Sequence, residues 1–391
     1  IAHQDQKTLK KGYKIFKWTK KISTVIGLWP LSQNPFLFTI CTVYYIIYVV
    51  LALLDMYKSF DNTDELVDNV TESMAVIYIY FRILFLRVNI SSLGEIYSQV
   101  FKDYNVKDFE NSQEIEVFMQ FINKGIFLVR GFASFMIGTE AVWYFSSLAA
   151  TPEFFIDDNN QTIFIIPYKL YFFHEINSLT RYYLTFLCIM PSIWAFGFGY
   201  VSVDSTLISL LFYISGKMAV LTMRIDALEN GPNSRKKLNK IIAEHCKLLK
   251  MGDGVKDAYS GGLLVYLVNT NVIICIVGYQ MLITFMAPGR EADFFRYALY
   301  MGEMYMLLSI FCMISEHLTA ESLKCCEAFY NCQWYDLPID CKKDLIYCIE
   351  RSQKPLALTA GKFTIFSNVT MTNVTKAAMG YLSVLRNFLD E

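Results

Sequence analysis

Residues 35–54 read PFLFTICTVYYIIYVVLALL, twenty consecutive positions without a charged side chain. A helix rises about 1.5 Å per residue, so twenty residues reach about 30 Å, the hydrocarbon thickness of a bilayer. A second uncharged run, Ala258 to Gly289, is longer still. Working outward from these two, the chain divides into seven apolar stretches, at about 35–55, 70–90, 126–150, 182–212, 263–287, 294–318 and 363–385. Backbone polar groups cannot stay unpaired in lipid, so stretches of this length are helical. The expected fold class is an all-α membrane protein with seven transmembrane helices.

Composition agrees. Of 391 residues, 54% are hydrophobic, 16% aromatic and only 18% charged. Typical soluble domains carry about 25% charged residues. A net charge of -1 provides no basic field for nucleic acid.

Charge in the connections gives the orientation. The amino-terminal segment carries Lys7, Lys10, Lys11, Lys14, Lys17, Lys20 and Lys21, without the short apolar core of a secretory signal. It is expected in the cytosol by the positive-inside bias. The connection after span 1 is acidic (Asp55, Asp61, Asp64, Glu65, Asp68) and contains the glycosylation sequon at Asn69. The loop after span 3 holds Glu153, Asp157, Asp158 and a sequon at Asn160. Both are expected outside, with Asn69 and Asn160 as glycosylation acceptors. Lys217, Arg224, Arg235, Lys236, Lys237, Lys240, Lys247, Lys250 and Lys256 after span 4 belong inside. The amino terminus is therefore cytosolic and the carboxyl terminus extracellular.

Catalytic signatures are missing. The chain has no phosphate-binding glycine loop, no His-Glu-x-x-His arrangement and no glycine-flanked serine nucleophile. Cys325, Cys326, Cys332, Cys341 and Cys348 lack paired Cys-x-x-Cys spacing and read as small packing residues rather than metal ligands. Neither an enzyme, a metal nor a cofactor is expected.

Charges inside the spans must face protein or water. They are Arg82, Arg130, Glu140, Glu303 and Lys376, and an interhelical pair such as Glu140 with Arg82 is the simplest expectation. Span 7 interleaves Thr364, Ser367, Asn368, Thr370, Thr372, Asn373 and Thr375 with apolar residues. Val384 and Phe388 share a face, which continues back through Tyr381, Ala377, Asn373 and Thr370. A polar stripe ending in an apolar ring fits a pore with a hydrophobic gate. It equally fits a buried helix whose threonines bond to its own carbonyls.

The carboxyl-terminal quarter carries a resemblance. AFYNCQWYDLP at 328–338, RSQKPL at 351–356 and LTAGKF at 358–363 resemble the carboxyl-terminal hallmarks of the insect odorant receptor family. Glu316, Glu321 and Ser322 fit the same pattern. GYLSVLRNF at 380–388 is similar to a degenerate form of the signature shared with insect gustatory receptors, with Gly380 in place of Thr and Asn387 in place of Gln. The resemblance implies a tetrameric, ligand-gated, non-selective cation channel in the plasma membrane of sensory dendrites. Span 7 would line the pore, Val384 and Phe388 would form the gate, and Asn387 the polar ring beside it. The short connection between spans 4 and 5 implies an odorant-tuning subunit that assembles with the odorant co-receptor. Membrane lipid and a small volatile odorant would be the other partners.

The resemblance puts the ligand in the outer half of the bundle, among spans 2, 3, 4 and 6. Helical spacing then nominates Ile77, Tyr80, Phe135, Thr139, Trp143, Phe186, Met190, Tyr297, Tyr300, Met301 and Met304, as an aromatic pocket with few polar groups. The expected organisation is a cytosolic segment 1–34, helices 1–4 as the ligand-binding bundle at 35–212, a cytosolic extension at 213–262, helices 5–6 at 263–318, an anchor at 319–362 and the pore helix with its tail at 363–391. A gustatory receptor channel is the nearest alternative. A G-protein-coupled receptor is the alternative from another class, but the chain lacks Asp-Arg-Tyr at span 3 and Asn-Pro-x-x-Tyr in span 7, and its orientation is reversed.

Overall fold

The computed structural model describes residues 2–61, 63–149, 152, 154–156, 161–166, 168–173, 175–286 and 291–387. Eleven α-helices are present among them: α1 (Ala2–Gly12), α2 (Lys14–Val25), α3 (Pro35–Lys58), α4 (Thr63–Val88), α5 (Ile90–Lys102), α6 (Ser112–Ala149), α7 (Leu179–Asp226), α8 (Ser234–Met286), α9 (Glu291–Asn331), α10 (Ile339–Ser352) and α11 (Asn368–Asn387). Two short hairpins join them, β1 (Phe154–Ile156) with β2 (Thr162–Phe164), and β3 (Thr359–Ala360) with β4 (Thr364–Ile365).

The seven expected spans are α3, α4, α6, α7, α8, α9 and α11. The first six are each long and apolar enough to cross a membrane. The opening stretch starts where predicted: Asn34 accepts a bond from the Leu37 amide at 3.1 Å, and Pro35 occupies the first turn, where a missing N–H costs nothing. On α3, Tyr45, Tyr48 and Ala52 face the bundle, whereas Phe36, Val43, Ile47 and Val50 are exposed on its outer side.

The helices outrun the apolar stretches that announced them. α7 has 48 residues and α8 has 53, about 72 and 80 Å against a core of about 30 Å. Their cytosolic halves pack with α9, α10, α5 and the amino-terminal helices into a second layer below the membrane. The centre of that layer is α7, buried at every position from Gly199 to Leu221. Arg224 holds it laterally. Its Nη2 donates to Glu114 Oε2 and to the Asp108 carbonyl, each at 2.7 Å, and a further terminal nitrogen bonds Glu244 on α8.

Where a long acidic loop was expected after span 1, the chain turns within a few residues and α4 begins at Thr63. Asn69 is therefore helical and 1% exposed, and its Nδ2 donates to Ser59 Oγ at 2.8 Å. The nitrogen that would carry a sugar is a buried donor in this arrangement. Asn160 lies outside the described residues.

The hallmark segments fasten the last helix. Leu356 N donates to Ser322 Oγ at 3.2 Å, Leu358 N donates to Ser315 Oγ at 3.1 Å, and Thr319 Oγ1 donates to the Leu356 carbonyl at 3.0 Å. One stripe of α9 thus grips the strap leading into β3. Gly361 turns the hairpin at φ 56°, where a side chain would collide with Leu264, 2.7 Å from a built Cβ. α11 then starts against α9, with the Asn368 amide donating to Glu316 Oε1 at 2.7 Å.

Candidate functional site

Two regions gather the nominated residues. The first is α11. Thr370, Val374 and Ala378 form its buried stripe, spaced by four, against α8 and α9. Leu382 continues that contact onto Gly278, whose built Cβ would lie 2.8 Å from the leucine methyls. The opposite face presents Asn373, Ala377, Tyr381 and Val384, with Tyr381 63% and Val384 54% exposed. Thr372 and Lys376 are exposed as well. Thr370 departs from the predicted face. It is buried, and its hydroxyl donates to the Ile365 carbonyl at 2.6 Å. Asn387 ends α11, its side chain outside the described set, and Phe388 lies outside the described residues altogether.

The second region lies in the outer half of the bundle. The segment after β2 folds back over α3, α4 and α7. Lys169 N donates to Glu72 Oε2 at 3.1 Å, and Tyr171 N donates to the Leu51 carbonyl at 3.1 Å. This lowers Tyr168 between the helices, where its ring meets Phe186 at 5.8 Å. Phe186 also meets Tyr144 and Tyr182, at 5.8 and 5.1 Å, and its carbonyl accepts from Tyr144 OH at 3.1 Å. Tyr48 closes the α3 side, packed on Phe196 at 5.2 Å.

Acidic groups lie near this outer region. Tyr300 on α9 lies in the field of Glu303, Glu72 and Glu140, while Tyr48 and Tyr168 both sense Glu72 and Glu140. Thr139 sits beside Glu303. Glu140 lies along the α7 backbone at Gly197, whose built Cβ would be 3.5 Å from Glu140 Cγ. The expected pair of Glu140 with Arg82 does not form. Arg82 bonds Asp204 instead, about 15 Å further down the bundle by helical rise, since α4 carries it well below Glu72.

Of the nominated residues, Phe186 lies in the aromatic cluster, and Thr139 and Tyr300 lie beside Glu303. Ile77, Tyr80 and Met301 are half-buried, with Tyr80 on Tyr45 at 5.4 Å. Met304 is buried, and its carbonyl accepts from Tyr266 OH at 3.2 Å. Tyr297 is engaged above this region, donating to Asp68 Oδ1 at 2.7 Å beside Gln280. Phe135 and Met190 point out of the bundle. Trp143 is on α6, its side chain outside the described set. Sequence reasoning missed Glu72, Tyr48 and Tyr168. The signal for Glu72 was depth: with Glu140 and Glu303 it lies about 14–18 Å from the outer end of its helix. Tyr168 sits in a connection, where helical spacing has no reach.

The comparisons fit this architecture. Residues 62–379 match the model of the 7tm Odorant receptor family, and the chain belongs to that family of multi-pass membrane receptors. Among curated relatives, Odorant receptor 13a of Drosophila melanogaster is 23% identical over 250 residues, covering 56% of this chain and 57% of that protein. Odorant receptor 67c of the same species is 25% identical over 215 residues, 52% of this chain and 50% of the relative. The odorant receptor coreceptor of Ooceraea biroi is 26% identical over 145 residues, 37% of this chain and 30% of the relative. The chain spans about half the length of the first curated relatives it matches. The olfactory receptor OR5 from Machilis hrabei, solved with eugenol, superposes with a TM-score of 0.80 at 14% identity, over 96% of this chain and 99% of that one. That likeness shows a shared seven-helix fold.

Proposed function

We propose that this chain is an odorant-gated, non-selective cation channel subunit of the plasma membrane. It binds a small volatile ligand in the outer half of the bundle and lines a central pore with α11. The observation that carries the reading is the exposed face of α11. Asn373, Thr372 and Lys376 stand unburied on a helix that must cross lipid. Polar groups at that depth need water or a neighbouring subunit. A tetramer with four copies of this helix around an axis satisfies them.

The cytosolic layer supports assembly. Tyr330, Trp334, Tyr335, Ile339, Ile346 and Tyr347 are all exposed in the single chain, below the membrane. Apolar surface of that extent is an interface. Residues 319–362 are the proposed intersubunit anchor, 35–212 the ligand-binding bundle and 363–391 the pore segment. The family relation to coreceptor proteins supports a hetero-oligomer in which this chain is the tuning subunit.

Gating follows from connectivity. A ligand among α4, α6, α7 and α9 favours one packing of the bundle by its difference in affinity between the two states. α9 is tied to α11 at Glu316–Asn368 and through the strap on Ser315, Thr319 and Ser322. A shift of α9 therefore moves the base of α11, and the ring of Val384 with Phe388 wets. Cysteines placed singly at Asn373, Ala377 and Tyr381 test the pore. A charged thiol reagent should block odorant-evoked current at each of them. Current untouched by the reagent at all three positions would remove α11 from the pore.

A further inference from the structure

We infer that the cytosolic end of the seam between α2 and α6 holds the headgroup of a phosphoinositide: Lys14, Lys21, Lys124 and Arg130 stand exposed around Trp18 and Phe127 where these helices meet the inner leaflet.

The placement follows from packing. α2 runs upright along α7. Phe16 meets Tyr213 with ring centres 6.2 Å apart, and higher on α7 the Ser202 hydroxyl donates to Ser23 Oγ at 2.7 Å. Ser202 lies about 34 Å below Leu179, the outer end of α7. On α6, Arg130 lies about 28 Å below Ala149. A hydrocarbon core of about 30 Å therefore ends beside these residues.

Spacing sorts the surface. Ile15, Phe16, Thr19, Ile22 and Ser23 form the buried face of α2. Lys14, Trp18 and Lys21 form an exposed stripe beside it, and Lys124, Phe127 and Arg130 form another on α6. The stripes adjoin at Trp18. Arg130 lies 5.6 Å and Lys21 6.0 Å from its ring centre, so two cations share one indole. Trp18 is 43% and Phe127 76% exposed. Tryptophan at a membrane surface sits at headgroup level.

No acid offsets these charges. None occurs between Asp5 and Asp55, or between Glu116 and Glu140. Among the described residues none of the four bases forms an ion pair. Arg130 is exposed on a helix that crosses the membrane, so it requires water or an anionic headgroup beside it. The positive-inside bias explains how many lysines precede span 1. It does not explain a stripe that gathers with an arginine of span 3 around one tryptophan.

Depth selects the lipid. Lys14 stands about 10 Å below Lys21, and Lys124 about 9 Å below Arg130. Phosphatidylserine places its charge at one level. A phosphorylated inositol ring carries further phosphates away from the bilayer, within reach of the lower pair. Clusters of bases just inside a spanning helix recognise such lipids. α2 packs on α6 and α7, whereas α11 packs on α8 and α9, so a tetramer built around α11 leaves the seam facing lipid.

Binding to the full chain in phosphatidylcholine nanodiscs at physiological salt tests this. The probes are a short-chain phosphatidylinositol bisphosphate, a short-chain phosphatidylserine and soluble inositol trisphosphate, each followed by thermophoresis. The bisphosphate lipid should bind roughly tenfold or more tighter than either of the others. Lys14→Gln, Lys21→Gln and Arg130→Gln together should weaken that binding roughly tenfold or more. Lys236→Gln, Lys237→Gln and Lys250→Gln together, the same loss of charge elsewhere on the cytosolic surface, should leave it unchanged. Should the first triple variant fail to fold, Trp18→Ala and Lys21→Gln, each expected to cost severalfold, carry the test. Phosphatidylserine binding as tightly as the bisphosphate, or equal losses in both triple variants, would reduce the seam to a diffuse basic surface and overturn the inference. Soluble trisphosphate binding as tightly as the lipid would overturn it too, because the exposed aromatic pair would then hold no acyl chain.

Discussion

Asp204 holds Arg82 through both terminal nitrogens of the guanidinium, with Nη1 donating to Oδ2 at 3.1 Å and Nη2 to Oδ1. The two side chains are 2% and 0% exposed. Tyr200, Tyr266 and Phe311 surround the guanidinium, their ring centres 5.6, 5.3 and 5.7 Å away. The pair therefore joins α4 to α7 at a point where α8 and α9 also converge. Phe311 in turn meets Phe366, just before α11, at 5.7 Å. Removing one partner of a buried pair leaves an uncompensated charge, at a cost of about 3–5 kcal/mol. Arg82→Ala and Asp204→Ala should each lower the unfolding temperature in detergent markedly. The double change Arg82→Met with Asp204→Leu should recover most of the loss. Single variants as stable as the parent would mean that the pair is solvated.

That pair also marks what could be read in advance. Arg82 was visible as a charge inside a span. Asp204 was not, because one carboxylate vanishes in the average of an apolar window, and its partner stands 122 positions away. The seven spans were legible because lipid imposes a length on each. The ends of α7, α8 and α9 were not, because hydropathy stops at the membrane surface while helix-forming residues carry the backbone on. The exposed stripe of α11 showed itself through polar spacing, except at Thr370, whose hydroxyl is claimed by the incoming turn. The Asn69 sequon is a local triplet that carries no information on burial. Glu140 and Glu303 were seen singly and Glu72 was missed, and only their common neighbourhood to Tyr300 makes them a group.

Val384 is the outermost described residue of the exposed α11 face. If it belongs to a hydrophobic ring that holds the pore dry, a polar side chain there lowers the cost of wetting. Val384→Asn should raise unliganded current several-fold in patch recordings, with the ion permeability ratio unchanged. Resting conductance identical to the parent would argue that the constriction lies elsewhere.

Tyr300 tests the outer region independently of the pore. It touches the field of all three glutamates and lies on α9, the helix bonded to the base of α11. Tyr300→Ala removes an aromatic wall and a hydroxyl, and should move the odorant dose–response about tenfold, a loss of about 1.4 kcal/mol. Trp143→Ala on α6 should act in the same direction. Both should leave the reversal potential where it was. Two unchanged dose–response curves would take these residues out of the ligand site.

Glu316 serves as the cap of α11. Its carboxylate accepts the Asn368 amide and side chain, where unpaired amides and the helix dipole favour negative charge. Glu316→Ala should cost about 1–2 kcal/mol locally. Hydrogen exchange at residues 368–372 should then accelerate roughly 5- to 30-fold, while amides of α3 keep their protection. Uniform acceleration across the chain would instead indicate global destabilisation.

His245 makes the cytosolic layer sensitive to acid. It is 3% exposed on α8, edge-on to Phe329 at 5.3 Å. Burial, reinforced by the positive charge of Arg351, holds its pKa down to about 4. An unfolded histidine titrates near 6.5. Between those values the unfolded chain binds a proton that the folded chain refuses, so stability falls as pH falls through that window. From pH 7 to pH 5 the loss is about 2 kcal/mol. The unfolding temperature of the purified protein should drop over that range, and His245→Gln should flatten its pH dependence without altering odorant selectivity. An equally steep slope in the glutamine variant would assign the acid sensitivity to other groups.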